Sequence, residues 1–163
     1  NEDGYVEFNP YNFTFDNEIS IGMVKQPISG HGQMQYGFNL FNNNGSYSYS
    51  IICAGNIVSG PHTLQNINSD FKVSREGNLM KFYINNTEIK SCDGNLISKF
   101  HVGVSQKSNE ESCSIRDIYT SFEDCDCIDL DVVETENESG MWFNNFGTEI
   151  NISENTFLIG LLI

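Results

Sequence analysis

The stretch Phe71-Lys-Val-Ser-Arg-Glu-Gly77-Asn-Leu-Met80-Lys-Phe-Tyr-Ile-Asn85-Asn-Thr-Glu-Ile89 decides the fold class. Phe71, Val73 and Arg75 recur at every second residue and run into Glu76-Gly77-Asn78. Met80, Phe82 and Ile84 then alternate as far as Asn85-Asn86, and Thr87 to Lys90 return. A period of two places one set of side chains on one face of a strand, and Gly and Asn accept the positive φ of a tight hairpin. Three strands in an antiparallel meander follow.

Working outward, the same grammar recurs. Tyr36, Phe38 and Leu40 alternate with Gly37 and Asn39. After Asn42-Asn43-Asn44-Gly45, the residues Tyr47, Tyr49 and Ile51 alternate with serines, which predicts a hairpin. Phe13, Phe15, Ile19, Ile21 and Met23 mark an earlier strand pair, Phe100, Val102 and Val104 a later strand, and Ile115 to Phe122 the last of this series. No stretch of ten residues has helical spacing. Many short strands separated by turn residues predict an all-β, antiparallel β-sandwich of jelly-roll type.

The chain of 163 residues carries 22 Asp+Glu against 8 Lys+Arg, a net charge of −14. A phosphate backbone needs a basic patch, so nucleic acid is excluded as a partner, and anionic membrane surfaces are disfavoured for the same reason. At 39% hydrophobic the chain is too apolar for a disordered acidic tail. Its longest apolar run, Phe157 to Ile163, is far short of a membrane-spanning helix, and Asn1 reads as a mature or excised start.

Compartment is read from cysteines and sequons. Cys53, Cys92, Cys113, Cys125 and Cys127 in a Lys-poor, Asn-rich chain predict an oxidising environment with two disulfides and one remaining thiol. N-glycosylation sequons occur at Asn12, Asn44, Asn85, Asn137 and Asn151. This composition yields roughly three by chance, so position matters more than number; Asn44 and Asn85 fall in predicted turns. The expected location is extracellular or at the cell surface.

The quoted meander resembles that of concanavalin A-like sandwiches, including laminin-G-like modules. There, a strand ending near a charged residue turns through Gly, a "V-x-F-Y"-type strand follows, and a short Asn turn returns the chain. Ile19-Ser-Ile-Gly-Met, Tyr36-Gly-Phe and Phe100-His-Val-Gly-Val resemble other strands of that family, so the resemblance spans about residues 5 to 122. It specifies fold far better than function. The family's glycosidases carry an E-x-D-x-x-E strand, absent here, and its frequent use of calcium directs attention to acidic residues.

The chain also resembles itself. Gly4-Tyr-Val-Glu-Phe8 can be laid on Gly140-Met-Trp-Phe143, Phe13-Thr-Phe15 on Ile150-Asn-Ile152, and Ile19-Ser-Ile-Gly22 on Phe157-Leu-Ile-Gly160. Acidic residues crowd the stretch between. The expected organisation is a sandwich over 1–122, an acidic linker over 123–140, and the opening strands of a second repeat, or an exchanged strand, over 141–163. Phe157, Leu158, Ile159, Leu161, Leu162 and Ile163 leave almost no polar alternation, so the strand must be buried in a sheet, its own chain's or a neighbour's.

Chemistry is sparse. His31, His62 and His101 stand at no recognised nucleophile–base spacing, and Glu110-Glu111 sit in a polar turn, so no enzyme is expected. Asp124, Asp126, Asp129 and Asp131 offer oxygen ligands suited to calcium without an EF-hand spacing; the competing reading is a solvated linker. Cys92, Cys113, Cys125 and Cys127 suit disulfides better than zinc. Glycan binding would use Tyr36, Tyr47, Tyr49 and Tyr83 with Asn39, Asn42, Asn43 and Asn44 as polar neighbours, unless those alternating aromatics form the core. The expected function is a non-enzymatic structural or adhesive module of a self-assembling or repeat-containing surface protein, the alternative a lectin domain.

Overall fold

The computed structural model describes residues 3–11, 18–24, 34–94, 101–107, 113–120, 134–135, 138–139, 150–152 and 157–162. Side chains are described at 3–10, 18–24, 34–94 and 102–104. The strands are β1 (Gly4–Tyr11), β2 (Glu18–Val24), β3 (Tyr36–Asn43), β4 (Ser46–Cys53), β5 (Asn56–Thr63), β6 (Phe71–Glu76) and β7 (Leu79–Ile84). They continue with β8 (Thr87–Asp93), β9 (His101–Lys107), β10 (Cys113–Thr120), β11 (Glu134–Thr135), β12 (Glu138–Ser139), β13 (Ile150–Ile152) and β14 (Phe157–Leu162). No helix occurs among the described residues.

Two antiparallel sheets hold all but β11 and β12, which pair with each other. The first sheet has the order β13-β10-β1-β6-β7-β8 and the second β14-β9-β2-β3-β4-β5. The meander read from Phe71 to Ile89 is β6-β7-β8, with Phe71 opposite Ile84 and Val73 opposite Phe82. Its second turn puts Asn85 and Asn86 at φ 49° and 61°, and the β3–β4 turn puts Asn44 and Gly45 at 51° and 83°. These left-handed pairs match the twist of hairpin strands, which is why Asn and Gly stand there.

Alternation decides which side chains meet between the sheets. From the first sheet come Val6, Phe8, Phe71, Val73, Met80 and Phe82; from the second, Ile19, Ile21, Met23, Tyr36, Phe38 and Leu40, with Ile51, Val102 and Val104, all at most 2% exposed. Phe38 lies edge-on to Phe71 at 4.9 Å, to Phe82 at 5.8 Å and to Phe8 at 6.2 Å. Edge-to-face contact sets positive ring edges on negative faces and adds about 0.5–1.5 kcal/mol per pair beyond area burial.

Two strands differ from expectation. β1 begins at Gly4, ahead of the predicted Phe13–Phe15 strand, which lies outside the described residues. β5 carries Gly60 and Pro61 and shows no clean alternation; its residues 56–63 are mostly exposed because it is an edge strand, where a missing N–H is tolerated. The other face of the second sheet also differs from a solvated one. Ser20, Asn39 and Ser50 are buried at 1%, 5% and 2% exposure, as is a small cluster of Val24, Met34 and Ile52. Ser20 donates to Asn39 Oδ1 at 3.0 Å and Asn39 Nδ2 donates to Glu18 Oε1 at 2.8 Å, so Ser20 and Asn39 are hydrogen-bonded within this face.

The carboxy-terminal strand is taken up by the chain's own second sheet. β14 lies antiparallel to β9, with Leu158 opposite Val104, while β2 pairs with the other edge of β9. β13 pairs with β10 in the first sheet. The linker residues 123–133, 136, 137 and 140 and the terminal Ile163 lie outside the described residues.

One disulfide, Cys53–Cys92, ties the end of β4 in one sheet to the edge strand β8 in the other. Cys125, Cys127 and the side chain of Cys113 lie outside the described residues. The crosslink spans 39 residues of sequence. Replacing both partners, Cys53→Ser with Cys92→Ser, is expected to lower the unfolding free energy by about 2–4 kcal/mol. Chemical denaturation under non-reducing conditions checks this, and an unchanged midpoint would contradict it.

Candidate functional site

Of the residues expected to stack a sugar, Tyr36 is 1% exposed and belongs to the core. Tyr49 packs against Phe38 at 6.3 Å and Phe71 at 6.4 Å, and half-buried Tyr47 packs on the same cluster. Asn42, 3% exposed, accepts the Gly45 N–H at 2.9 Å and closes the hairpin turn; exposed Asn43 accepts from Asn44 Nδ2 at 3.3 Å. The alternation that aligned the tyrosines faces the partner sheet, and the two asparagines build the turn.

The calcium candidates Asp124, Asp126, Asp129 and Asp131 lie outside the described residues, as do Asn12 and Asn137 and the pair Glu110-Glu111. Among the described residues no three His, Cys, Asp or Glu side chains gather closely enough to hold a metal ion. Cys53 and Cys92 are consumed by their disulfide, which removes Cys92 from a thiolate set. No helix among the described residues is long and apolar enough to cross a membrane.

Among the described residues, polar and aromatic side chains gather on the outer face of the first sheet. Strand alternation sends Val6, Phe8, Phe71, Val73, Met80 and Phe82 inward, so Tyr5, Glu7, Lys72, Ser74, Lys81 and Tyr83 project outward. Register arranges them in rows: Glu7 faces Lys72, Lys72 faces Tyr83, and Tyr83 faces Glu88; one step on, Tyr5 faces Ser74 and Ser74 faces Lys81. The Lys72 ammonium lies 4.1 Å from the centroid of the Tyr5 ring and 5.7 Å from that of Tyr83, with the Glu7 carboxylate at 4.0 Å. Two aromatic rings thus flank one cation. Such a contact is worth about 0.5–1 kcal/mol at an exposed site.

Beside it, Glu76 is the hub of a second group. Lys81 donates to Glu76 Oε2 in a close ion pair, Tyr83 donates its hydroxyl to Oε1 at 3.1 Å, and Ser74 donates to Oε1 at 3.3 Å. The Lys81 hydrogen bond, helped by Tyr83 and opposed by partial burial, holds the Glu76 carboxyl below its ordinary value of 4.5. The same bond raises Lys81 above 10.5, and burial raises the Tyr83 phenol above 10.0. The result is a mixed surface of rings, carboxylates and ammoniums whose geometry is fixed by mutual contacts.

Ser59 Oγ and His62 Nε2 approach to 2.8 Å on the exposed edge strand β5, with the His62 ring 5.2 Å from that of Tyr49. Spacing alone did not reveal this pair. The register shift between Tyr49 and Ile51 on β4 accompanies the irregular ladder that brings residues three apart together. A triad would need a carboxylate to orient the imidazole. None contacts His62 among the described residues.

No family model, curated protein or solved structure matches this chain significantly. The outer-face cluster predicts a specific pH response. The favourable contribution of Glu76 is present above 4.5 and lost as pH falls through its lowered folded-state value; that of Lys81 is present below 10.5 and lost as pH rises through its raised value. The difference in Tm between the wild type and Glu76→Gln should therefore be widest between these limits and close on both flanks. A difference independent of pH, followed by thermal melts across the range, would show that the charge is idle.

Proposed function

We propose that the chain is a non-catalytic, extracellular β-sandwich of the concanavalin A-like, jelly-roll type. In this reading it serves as a structural or adhesive module that joins its neighbours through the carboxy-terminal strand. The observation that carries the proposal is the position of β14. A nearly continuous apolar strand, Phe157–Leu162, occupies the edge of β9 opposite to β2, the strand it resembles in sequence. A strand delivered to a sheet edge by a long connection can close the edge of its own molecule or that of another, because the backbone bonds are the same in both. The Cys53–Cys92 disulfide suits an oxidising compartment.

The full chain is expected to self-associate with rising concentration in sedimentation velocity. Leu158→Asp with Leu161→Asp should abolish this while the β-sheet circular dichroism is retained. A wild type that stays monomeric throughout would rule out assembly through this strand.

A second reading, a lectin domain, is favoured by the half-buried Tyr5 and Tyr83 on the outer face of the first sheet. The accessible part of such a ring can accept the C–H face of a sugar, with Glu76 and Lys81 beside it to meet hydroxyls. On a glycan array, binding lost by at least tenfold in both Tyr5→Ala and Tyr83→Ala would support it. An array without any binding would remove it.

A further inference from the structure

Antiparallel ladders allow the two ends of the sandwich to be read residue by residue. In the first sheet, Tyr11 faces Ser114 and Ser114 faces Asn151, while Phe71 faces Ile84 beside the Asn85-Asn86 turn. Because Phe8 faces Phe71, these positions share one end of the sheet. In the second sheet, Asn43 faces Ser46 across the Asn44-Gly45 turn, and Ser48 faces Thr63 at the start of the crossover 64–70. That crossover joins the two ends directly: the Leu64 N–H donates to the Tyr47 carbonyl at 2.8 Å, and the Asn85 N–H donates to the Asp70 carbonyl at 2.8 Å. Asn44, Asn85 and Asn151, dispersed in sequence, all stand at the same end of the sandwich. The disulfide lies toward the other end, where Tyr36 faces Cys53 and Met80 faces Cys92.

We infer that this end is a glycan-bearing cap, with Asn44 and Asn85 as its N-glycosylated residues and Asn151 placed to join them. Each begins an Asn-x-Ser/Thr sequon: Asn44-Gly-Ser46, Asn85-Asn-Thr87 and Asn151-Ile-Ser153. Asn44 and Asn85 are exposed at the first position of left-handed hairpin turns, where a bulky substituent can leave the sandwich. Asn85 Nδ2 donates to the buried Ser69 Oγ at 3.3 Å, and the N–H that glycosylation leaves on that nitrogen can keep the bond. In the transfer, Nδ2 forms a bond to the anomeric carbon of a polyprenyl diphosphate-linked oligosaccharide. The bond from that carbon to the diphosphate oxygen breaks, the diphosphate leaves with the electron pair, and one amide proton is released. The modified amide keeps its carbonyl and one N–H. The bond from the Asp70 N–H to Asn85 Oδ1, 2.9 Å, therefore survives, and it pins the crossover to the hairpin. At Asn44 the only described side-chain bond is that to Asn43 Oδ1. Glycans here close this end to protein contact and leave the outer face of the first sheet for recognition.

The inference rests on the extracellular reading, and the experiment separates the two. The full chain is directed into the secretory pathway of a eukaryotic cell by a cleavable signal. Its cysteines are scored by alkylation and its mass is compared before and after peptide-N-glycosidase. The wild type should lose at least two glycans, and Asn44→Gln and Asn85→Gln should each remove one without altering the Cys53–Cys92 bond. Unmodified Asn44 and Asn85 in a chain whose disulfide has formed overturns the cap while the extracellular reading stands. Free Cys53 and Cys92 in a glycosylated chain supports the cap and removes the disulfide's support for that reading.

Discussion

Phe38 is the side chain on which the two sheets close. It projects from the middle of β3 and meets Phe8, Phe71 and Phe82 of the facing sheet with ring planes 68–83° to its own. Phe8 and Phe71 stack on each other at 5.6 Å, so the wall that Phe38 enters is itself fixed. A core of this kind is as dense as an organic crystal, and a misplaced ring has nowhere to go. The register of β1, β6 and β7 is therefore held together, since a slip by one residue would send Phe8, Phe71 and Phe82 to the solvent face.

That constraint creates the outer surface as much as the core. Once Phe71, Val73, Met80 and Phe82 are committed inward, Lys72, Ser74, Lys81 and Tyr83 have only the outer face left. Cross-strand proximity then brings Glu76 into reach of Lys81, Tyr83 and Ser74. The ring–ammonium contact among Tyr5, Lys72 and Tyr83 has the same origin, with partners drawn from β1, β6 and β7. A surface built this way is held in place because its supports are strands. Its charges are paired, so the strongly acidic chain still offers a locally balanced face.

The second sheet follows a different rule. β2 and β3 are buried on both faces, with Ser20 and Asn39 in a satisfied hydrogen-bond chain to Glu18. Gly22 and Gly37 face each other across these strands, and a Cβ on either would meet the backbone of its neighbour at Tyr36 or Ile21. Close strand approach there requires residues without side chains. The edges are managed separately: β5 carries Gly60 and Pro61, β8 carries Glu88 and Lys90, and the apolar β14 stands beyond β9.

Sequence alone determined the all-β class, the β6-β7-β8 meander, the β3–β4 hairpin and the need of the carboxy-terminal strand for a sheet. Each is a local matter: a period of two, a turn whose φ only Gly or Asn accepts readily, an apolar run too costly to leave in water. β5 stayed illegible because an edge strand need not alternate. The tertiary structure alone decided which face of each strand meets the other sheet. Periodicity divides residues into two sets without saying which is covered, so Tyr36 and Tyr49 went to the core, while Tyr5 and Tyr83 came together on the outside. The pairing of Cys53 with Cys92, and the meeting of Asn44, Asn85 and Asn151 at one end, were likewise decided by register and crossover. Both join residues far apart in the chain, and no local propensity encodes distance across a fold.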